Sequence, residues 1–203
     1  MSITITPAWR KKYMDTIHDY MFKDIQAAID GEANYLAALG LSTYTENLGG
    51  LYCGDLQGIL GDHYMSFIND YFSQCYGKVD SQLKASGITS RKHPMYEIVR
   101  SGLVHEYFMK TESIVTIGAN NVTCGIMYST PSPSSLIFVV DEYFEDFKNA
   151  FNNYYNDLLS TANITLANKL QGKFDRAIKG MSARLNLSSS SSLIGQSGAG
   201  INI

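Results

Sequence analysis

Apolar residues recur at steps of three and four along most of this chain, and no other feature of the sequence constrains the fold as strongly. The clearest stripe contains Phe144, Phe147, Phe151, Tyr154 and Leu158. Because residues at these steps share one face of an α-helix, each stripe predicts an amphipathic helix. The predicted helices span about 7–28, 32–48, 62–76, 94–110, 141–158 and 164–181. We therefore expect a mainly α-helical bundle of roughly four to six helices.

The segment 113–140 departs from this helical spacing. It contains three short runs rich in β-branched residues, at 114–117, 122–128 and 136–140. The loop from Gly118 to Asn121 is rich in residues that accept positive φ, and two prolines, Pro131 and Pro133, follow the second run. This composition predicts a small antiparallel β ribbon inserted into the helical fold.

Two further stretches are expected to interrupt the helices. Glycine is frequent from Gly49 to Gly61, but the Gly-Lys-Ser/Thr ending of a phosphate-binding loop is missing. We therefore expect turns and close helix contacts in this stretch, with Gly49 and Gly50 ending the second helix. Residues 78–93 are polar, so we expect them to form a loop in part.

The chain of 203 residues is long enough to bury a sizeable core and contains no long linker, so we expect one domain over 1–185. Residues 186–203 are rich in Ser and Gly and predict a flexible tail. No apolar run is long enough for a membrane span, and the start lacks a signal-peptide pattern. Three widely spaced cysteines form no zinc-binding pattern. We expect a protein of the reducing cytoplasm without membrane association, metal or other cofactor.

The charge of the chain limits how it could bind nucleic acid. Its formal net charge is -3, whereas proteins that grip long stretches of duplex nucleic acid are usually basic. Any contact with RNA should therefore be local. Lys169, Lys173 and Arg176 share one helical face and are the candidates for guiding RNA; a solvated basic face is the alternative.

The most chemically suggestive pattern is Arg100-x4-His105-x-Tyr107. It resembles the Arg-x4–6-His signature of HEPN domains, and more narrowly the Arg-x4-His-x-Tyr form of HEPN–nucleotidyltransferase toxin–antitoxin pairs. The resemblance implies a helical bundle that cleaves RNA without a metal as a homodimer, with a nucleotidyltransferase antitoxin as a partner. Other members of the family are catalytically silent. Many active members have Asn directly after the arginine, where this chain has Ser101.

The residue types themselves suit metal-free cleavage of RNA. Histidine titrates near neutrality and can act as acid or base, and arginine can donate two parallel hydrogen bonds to a phosphate. On a regular helix Arg100 and Tyr107 are about 20° apart, but His105 is about 140° from Arg100. Unless Gly102 distorts the helix or His105 caps a bend, a twofold dimer is needed to bring the second copies of these residues to one phosphodiester. Tyr107 is expected to hydrogen-bond a phosphate, and the resemblance to the toxin-like HEPN members implies that it is also a target of nucleotidyl modification.

Two accessory residues complete the candidate site. The Ser101 hydroxyl can donate a hydrogen bond, although it offers one polar group where Asn offers two. Glu46, on the second helix, could steady Arg100 or His105; an exposed helix acid is the alternative.

The sequence leaves several interpretations open beside an RNA-cleaving dimer. Arg100 could form an ordinary ion pair with Glu97 or Glu106, while His105 and Tyr107 pack within the bundle. The protein would then be a non-catalytic helical interaction or nucleotide-binding module. A third hypothesis is a structural protein that assembles through surfaces rich in its 14 tyrosines.

Overall fold

Helices make up most of the computed structural model, which describes residues 4–103, 113–118, 122–129 and 135–184. The α-helices are α1 (Pro7–Asp30), α2 (Asn34–Cys53), α3 (Leu60–Tyr71), α4 (Gln74–Ala85), α5 (Val140–Leu159) and α6 (Ile164–Arg184). A π-helix spans Tyr96–Ser101. The mainly α-helical class predicted from the apolar spacing is confirmed.

Helix α2 lies in the middle of the molecule and packs against α1, α3, α5, α6 and the π-helix. Its buried residues are mostly small or apolar: Ala37, Ala38, Leu41, Ser42, Thr45, Leu48, Gly49, Gly50 and Leu51. The alanines and leucines among them belong to one apolar core that also contains residues of the other helices and of the sheet. A helix that is apolar on most sides is stable only when neighbours cover it, so α2 organises the bundle.

The expectation that Gly49 and Gly50 end the second helix is wrong. Helix α2 continues to Cys53 and ends at Gly54, whose φ of 87° is the left-handed conformation that favours glycine. Gly49 instead allows a close helix contact, and Gly50 leaves room for Asp55 and Leu56, which follow the helix. A Cβ on Gly49 would lie 2.4 Å from the carbonyl oxygen of His63 in α3, so only glycine fits there. The expected close helix contact is confirmed.

The predicted third helix over 62–76 is divided in the structure. Helix α3 ends at Tyr71, and Phe72 is extended, with φ −93° and ψ 171°. Helix α4 then occupies the first half of the polar stretch 78–93, and residues 86–93 form turns and loop, so the expectation of a partial loop is confirmed. Its polar composition conceals a narrow apolar stripe of Tyr76, Val79 and Leu83, which is buried against the core. Three inward residues suffice because α4 packs on the outside of the bundle, where its other faces are exposed.

A strand forms in each of the three predicted runs, although only the end of the run 122–128 is strand, and the pairing of the strands is mixed. They are β1 (Ser113–Thr116), β2 (Ile126–Ser129) and β3 (Ser135–Val139), in the spatial order β1-β3-β2. β2 pairs antiparallel with β3, as expected, whereas β1 pairs with β3 in parallel, which corrects the purely antiparallel ribbon. Leu136 and Phe138 of β3 are fully buried, so the most apolar strand takes the centre of the sheet.

Two long-range links fasten the outer elements. Arg10 of α1 and Asp175 of α6 form a bidentate ion pair at 2.6 and 2.7 Å. Cys75 of α4 and Cys124, just before β2, form a disulfide across a Cα–Cα distance of 6.1 Å. The sequence did not predict this pairing, and it removes the cysteine-based argument for a reducing compartment.

Parts of the domain prediction fall outside the described residues. The boundary at 185 and the tail over 186–203 are among them. Within the described ranges, no helix combines the length and the apolar character that crossing a membrane requires.

The close contact at Gly49 yields a prediction for stability. We expect Gly49→Ala to lower the free energy of unfolding by about 1–3 kcal/mol, because the new Cβ would push α3 away from α2. The control is Gly172→Ala on the exposed side of α6, where no atom lies within 4 Å of the new Cβ. Alanine there should stabilise by about 0.5–1 kcal/mol through helix propensity. Urea unfolding of both variants measures the difference, and equal effects would contradict the packing argument.

Candidate functional site

Arg100 and Ser101 are the last two residues of the π-helix. The chain then returns to α-helical geometry at Gly102, with φ −62° and ψ −50°. The angular estimate for a regular α-helix therefore does not hold at Arg100, because a π-helical turn contains more residues. His105 and Tyr107, the other two residues of the motif, lie outside the described residues. The structure thus places the arginine half of the candidate site.

The guanidinium of Arg100 is paired with Glu46 of α2. Its Nη2 donates a hydrogen bond of 2.9 Å to Oε1, and its Nε lies 2.5 Å from Oε2 without hydrogen-bond alignment. The side chains are 15% and 11% exposed, so water screens the pair only weakly. Glu46 therefore contacts Arg100 and is not an exposed acid on the surface of its helix.

Tyr96 is the third member of this cluster. It lies one turn before Arg100, and its hydroxyl donates a hydrogen bond of 2.9 Å to Oε2 of Glu46. Burial and this hydrogen bond to the carboxylate raise the pKa of Tyr96 to about 12. The phenol therefore stays protonated and remains a donor at neutral pH. Both carboxylate oxygens of Glu46 are engaged, which holds Arg100 in one orientation.

A chain of buried hydroxyl groups supports this cluster from the core. The Tyr143 hydroxyl of α5 lies 3.0 Å from that of Tyr64 and 3.1 Å from Oγ1 of Thr45. The ring of Tyr64 packs against that of Tyr96, with centroids 5.5 Å apart, and Thr45 precedes Glu46 in α2. Burial raises the pKa of Tyr64 and of Tyr143, so both remain neutral donors.

Sequence reasoning did not identify Tyr96, Tyr64 or Tyr143 as part of the site. Their positions fit the apolar stripe of a helix, so each was indistinguishable from an ordinary core aromatic. The one available signal was the spacing of Tyr96 and Arg100, since residues four apart share a helix face. The partners of Tyr64 and Tyr143 lie on other helices, and no local pattern specifies them.

The basic residues of α6 form a separate surface. Lys169 and Arg176 are exposed, while Lys173 is half-buried with its Nζ 4.5 Å from the centre of the Tyr52 ring. Arg176 lines a cavity of about 480 Å³ between the end of α2 and α6. In the described ranges, no hydrogen bond or ion pair connects these residues with Arg100.

Comparison with known proteins identifies no relative of this chain. No protein-family model, no curated protein and no solved structure matches it. The resemblance to HEPN domains therefore depends on the motif between Arg100 and Tyr107 and on the helical architecture.

The partly buried cluster yields a prediction that a double-mutant cycle can measure. We expect Arg100→Ala and Glu46→Ala each to lower the free energy of unfolding by about 2–4 kcal/mol, because each leaves a charge without its partner. The double variant should recover about 1–3 kcal/mol relative to the sum of the single effects. The more exposed pair of Lys148 and Glu145, whose side chains are 29% and 63% exposed, is the control, with a coupling of at most about 0.5 kcal/mol. Additive effects at Arg100 and Glu46 would show that the contact contributes nothing.

Proposed function

We propose that this chain is a HEPN-like endoribonuclease that acts as a homodimer and cleaves RNA without a metal. The observation that carries the proposal is the orientation of Arg100, whose guanidinium is held by Glu46 at the end of a π-helix. Short π-helical segments occur often at functional sites, because they place a side chain where a regular helix would not. The helical bundle and the sequence motif agree with this proposal.

In the proposed reaction Arg100 stabilises negative charge on the phosphate. A guanidinium has five N–H groups, and the hydrogen bond to Glu46 uses one of them. Fixing the cation before the substrate arrives lowers the cost of reorganising it during the reaction. Ser101, the next residue, is partly exposed and offers a hydroxyl as a further donor.

His105 and Tyr107 supply the remaining chemistry in this proposal. His105 removes the proton of the ribose 2′-hydroxyl or protonates the departing 5′ oxygen, and the product ends in a 2′,3′-cyclic phosphate. Tyr107 hydrogen-bonds a phosphate. The second copy of the chain supplies the complementary acid or base. A nucleotidyltransferase antitoxin that modifies Tyr107 is the proposed regulatory partner, and the cytoplasm is the proposed location.

A second candidate function is a non-catalytic interaction or nucleotide-binding module. It is favoured by the pairing of Arg100 with a carboxylate of its own chain, which is what a structural ion pair requires. Only 15% of the Arg100 side chain is exposed. In that case the motif stabilises the bundle, and replacing His105 leaves any RNA cleavage unchanged.

Cleavage in the presence of a chelator tests the proposal. Purified protein incubated with single-stranded RNA and EDTA should produce cyclic-phosphate ends, and His105→Ala should reduce the rate by about 10²–10⁴-fold. His18→Ala, at a partly exposed histidine of α1, is the matched control and should keep the rate. Cleavage that survives His105→Ala would reject the assignment, and a chain that never cleaves RNA would favour the non-catalytic module.

The basic face of α6 leads to a separate prediction about RNA binding. A variant in which Lys169, Lys173 and Arg176 are all changed to Gln should bind RNA more weakly. Its affinity for RNA should also depend less on salt. Each lost phosphate contact lowers the slope of log affinity against log salt by about 0.7 for single strands. Fluorescence anisotropy at several salt concentrations measures that slope. Lys12→Gln and Lys23→Gln on the exposed side of α1 provide the control, and an unchanged slope in the α6 variant would exclude this face as the RNA contact.

A further inference from the structure

We propose that Cys75 and Cys124 form a redox-active pair that reacts with small-molecule thiols and disulfides, such as glutathione, and controls the order of the Arg100–Glu46 cluster. The two cysteines are joined in the structure, while Cys53 is free. The disulfide closes a loop of the chain that contains the whole candidate motif, since the two cysteines are 49 positions apart. The thiol chemistry does not depend on ribonuclease activity; only its effect on cleavage rests on the proposed function.

The two sulfur atoms differ in accessibility and surroundings. Cys75 is partly exposed and lies in the first turn of α4, whereas Cys124 is 3% exposed. The N-terminus of a helix favours a thiolate, and the Ser73 hydroxyl lies 2.8 Å from the Cys75 sulfur. External reagents therefore meet Cys75 first, and Cys124 acts as the resolving residue.

The exchange is balanced in both directions. In oxidation, the Cys75 thiolate attacks one sulfur of glutathione disulfide and releases one glutathione thiolate, leaving a mixed disulfide on Cys75. Cys124, as its thiolate, then attacks the Cys75 sulfur and releases the second glutathione. Two protein thiols lose two electrons, and one glutathione disulfide becomes two glutathiones. Reduction by two glutathiones reverses these steps, again with the first attack at Cys75.

The residues that directly follow the two cysteines, Tyr76 and Gly125, connect the disulfide to α5 in the core. Tyr76 accepts a hydrogen bond of 3.1 Å from the Gly125 amide and donates one of 2.5 Å to Asp146 of α5. Gly125 is packed so closely on α5 that a Cβ there would lie 2.4 Å from the backbone of Tyr143. The disulfide thus holds α4, the start of β2 and α5 in contact at one point.

From this point, a continuous series of contacts reaches the candidate site. The ring of Tyr76 meets that of Tyr143 edge to face, with centroids 5.5 Å apart. Tyr143 in turn hydrogen-bonds Tyr64, whose ring packs on Tyr96, the donor to Glu46. Reduction removes the covalent link, so that α4 and the sheet are then held together by noncovalent contacts alone, among them the hydrogen bond of Tyr76 to Gly125. We expect the π-helix to open more often in the reduced protein.

The first experiment tests the chemistry in a Cys53→Ser background. Cys124→Ser leaves Cys75 without its resolving partner, so glutathione disulfide should produce a stable mixed disulfide that mass spectrometry detects. The matched variant Cys75→Ser should react at least about tenfold more slowly at Cys124 because that sulfur is buried. Equal rates would reject the assignment of Cys75 as the entry residue. If the parent protein equilibrated with glutathione disulfide kept both thiols free, the redox pair itself would be refuted.

The second experiment tests the effect on the candidate site without any RNA. Hydrogen exchange of the Cys53→Ser protein is compared in its oxidised and reduced forms. Amide exchange over Tyr96–Ser101 should be at least about threefold faster after reduction, while α6 serves as the internal control. Equal exchange over the π-helix in both forms would overturn the coupling. Faster exchange in a protein that cleaves no RNA would retain the switch and reject only the ribonuclease proposal.

Discussion

The burial of α2 among its neighbours is the constraint on which the other features depend. A helix in the centre of a bundle must present small or apolar groups on most sides, and any charge on it requires a partner. Glu46 is the single charged residue of α2. Without a partner, the buried carboxylate of Glu46 would lower the stability of the fold by about several kcal/mol. The hydrogen bonds from Arg100 and Tyr96 remove this cost, which connects the central helix to the motif.

This pairing bears on both functional hypotheses. An arginine that neutralises a buried carboxylate contributes to stability, yet the same contact fixes its orientation and leaves other N–H groups for a ligand. Tyr96 and Arg100 lie four residues apart in the π-helix, and both contact the carboxylate of Glu46. A structural role and a phosphate-binding role are therefore compatible at Arg100. What separates the hypotheses is the chemistry of His105, which the ion pair does not determine.

Local patterns predicted the main elements well where their apolar stripes are wide. The stripe from Phe144 to Leu158 matches α5 closely, because five large apolar residues on one face leave little ambiguity. Prediction failed where the apolar stripe of a helix is narrow, and where a glycine can either end a helix or allow close packing. Helix α4 has only three buried residues, and Gly49 serves packing against α3, although a glycine pair is also a common helix end. The parallel pairing of β1 with β3 joins strands that are not consecutive in the sequence, so strand length and turn residues do not specify it.

The sequence by itself determined the helical class, the location of the three strands and the residue types available for chemistry near Arg100. These properties follow from the spacing of apolar residues over short stretches. The period of a helix or strand determines which of these residues share a face. Only the tertiary structure decided that Glu46 meets Arg100, 54 positions away, and that Cys75 meets Cys124. Such pairs depend on the path of the whole chain around α2. Local spacing contains no information about that path, because packing of the complete core selects it.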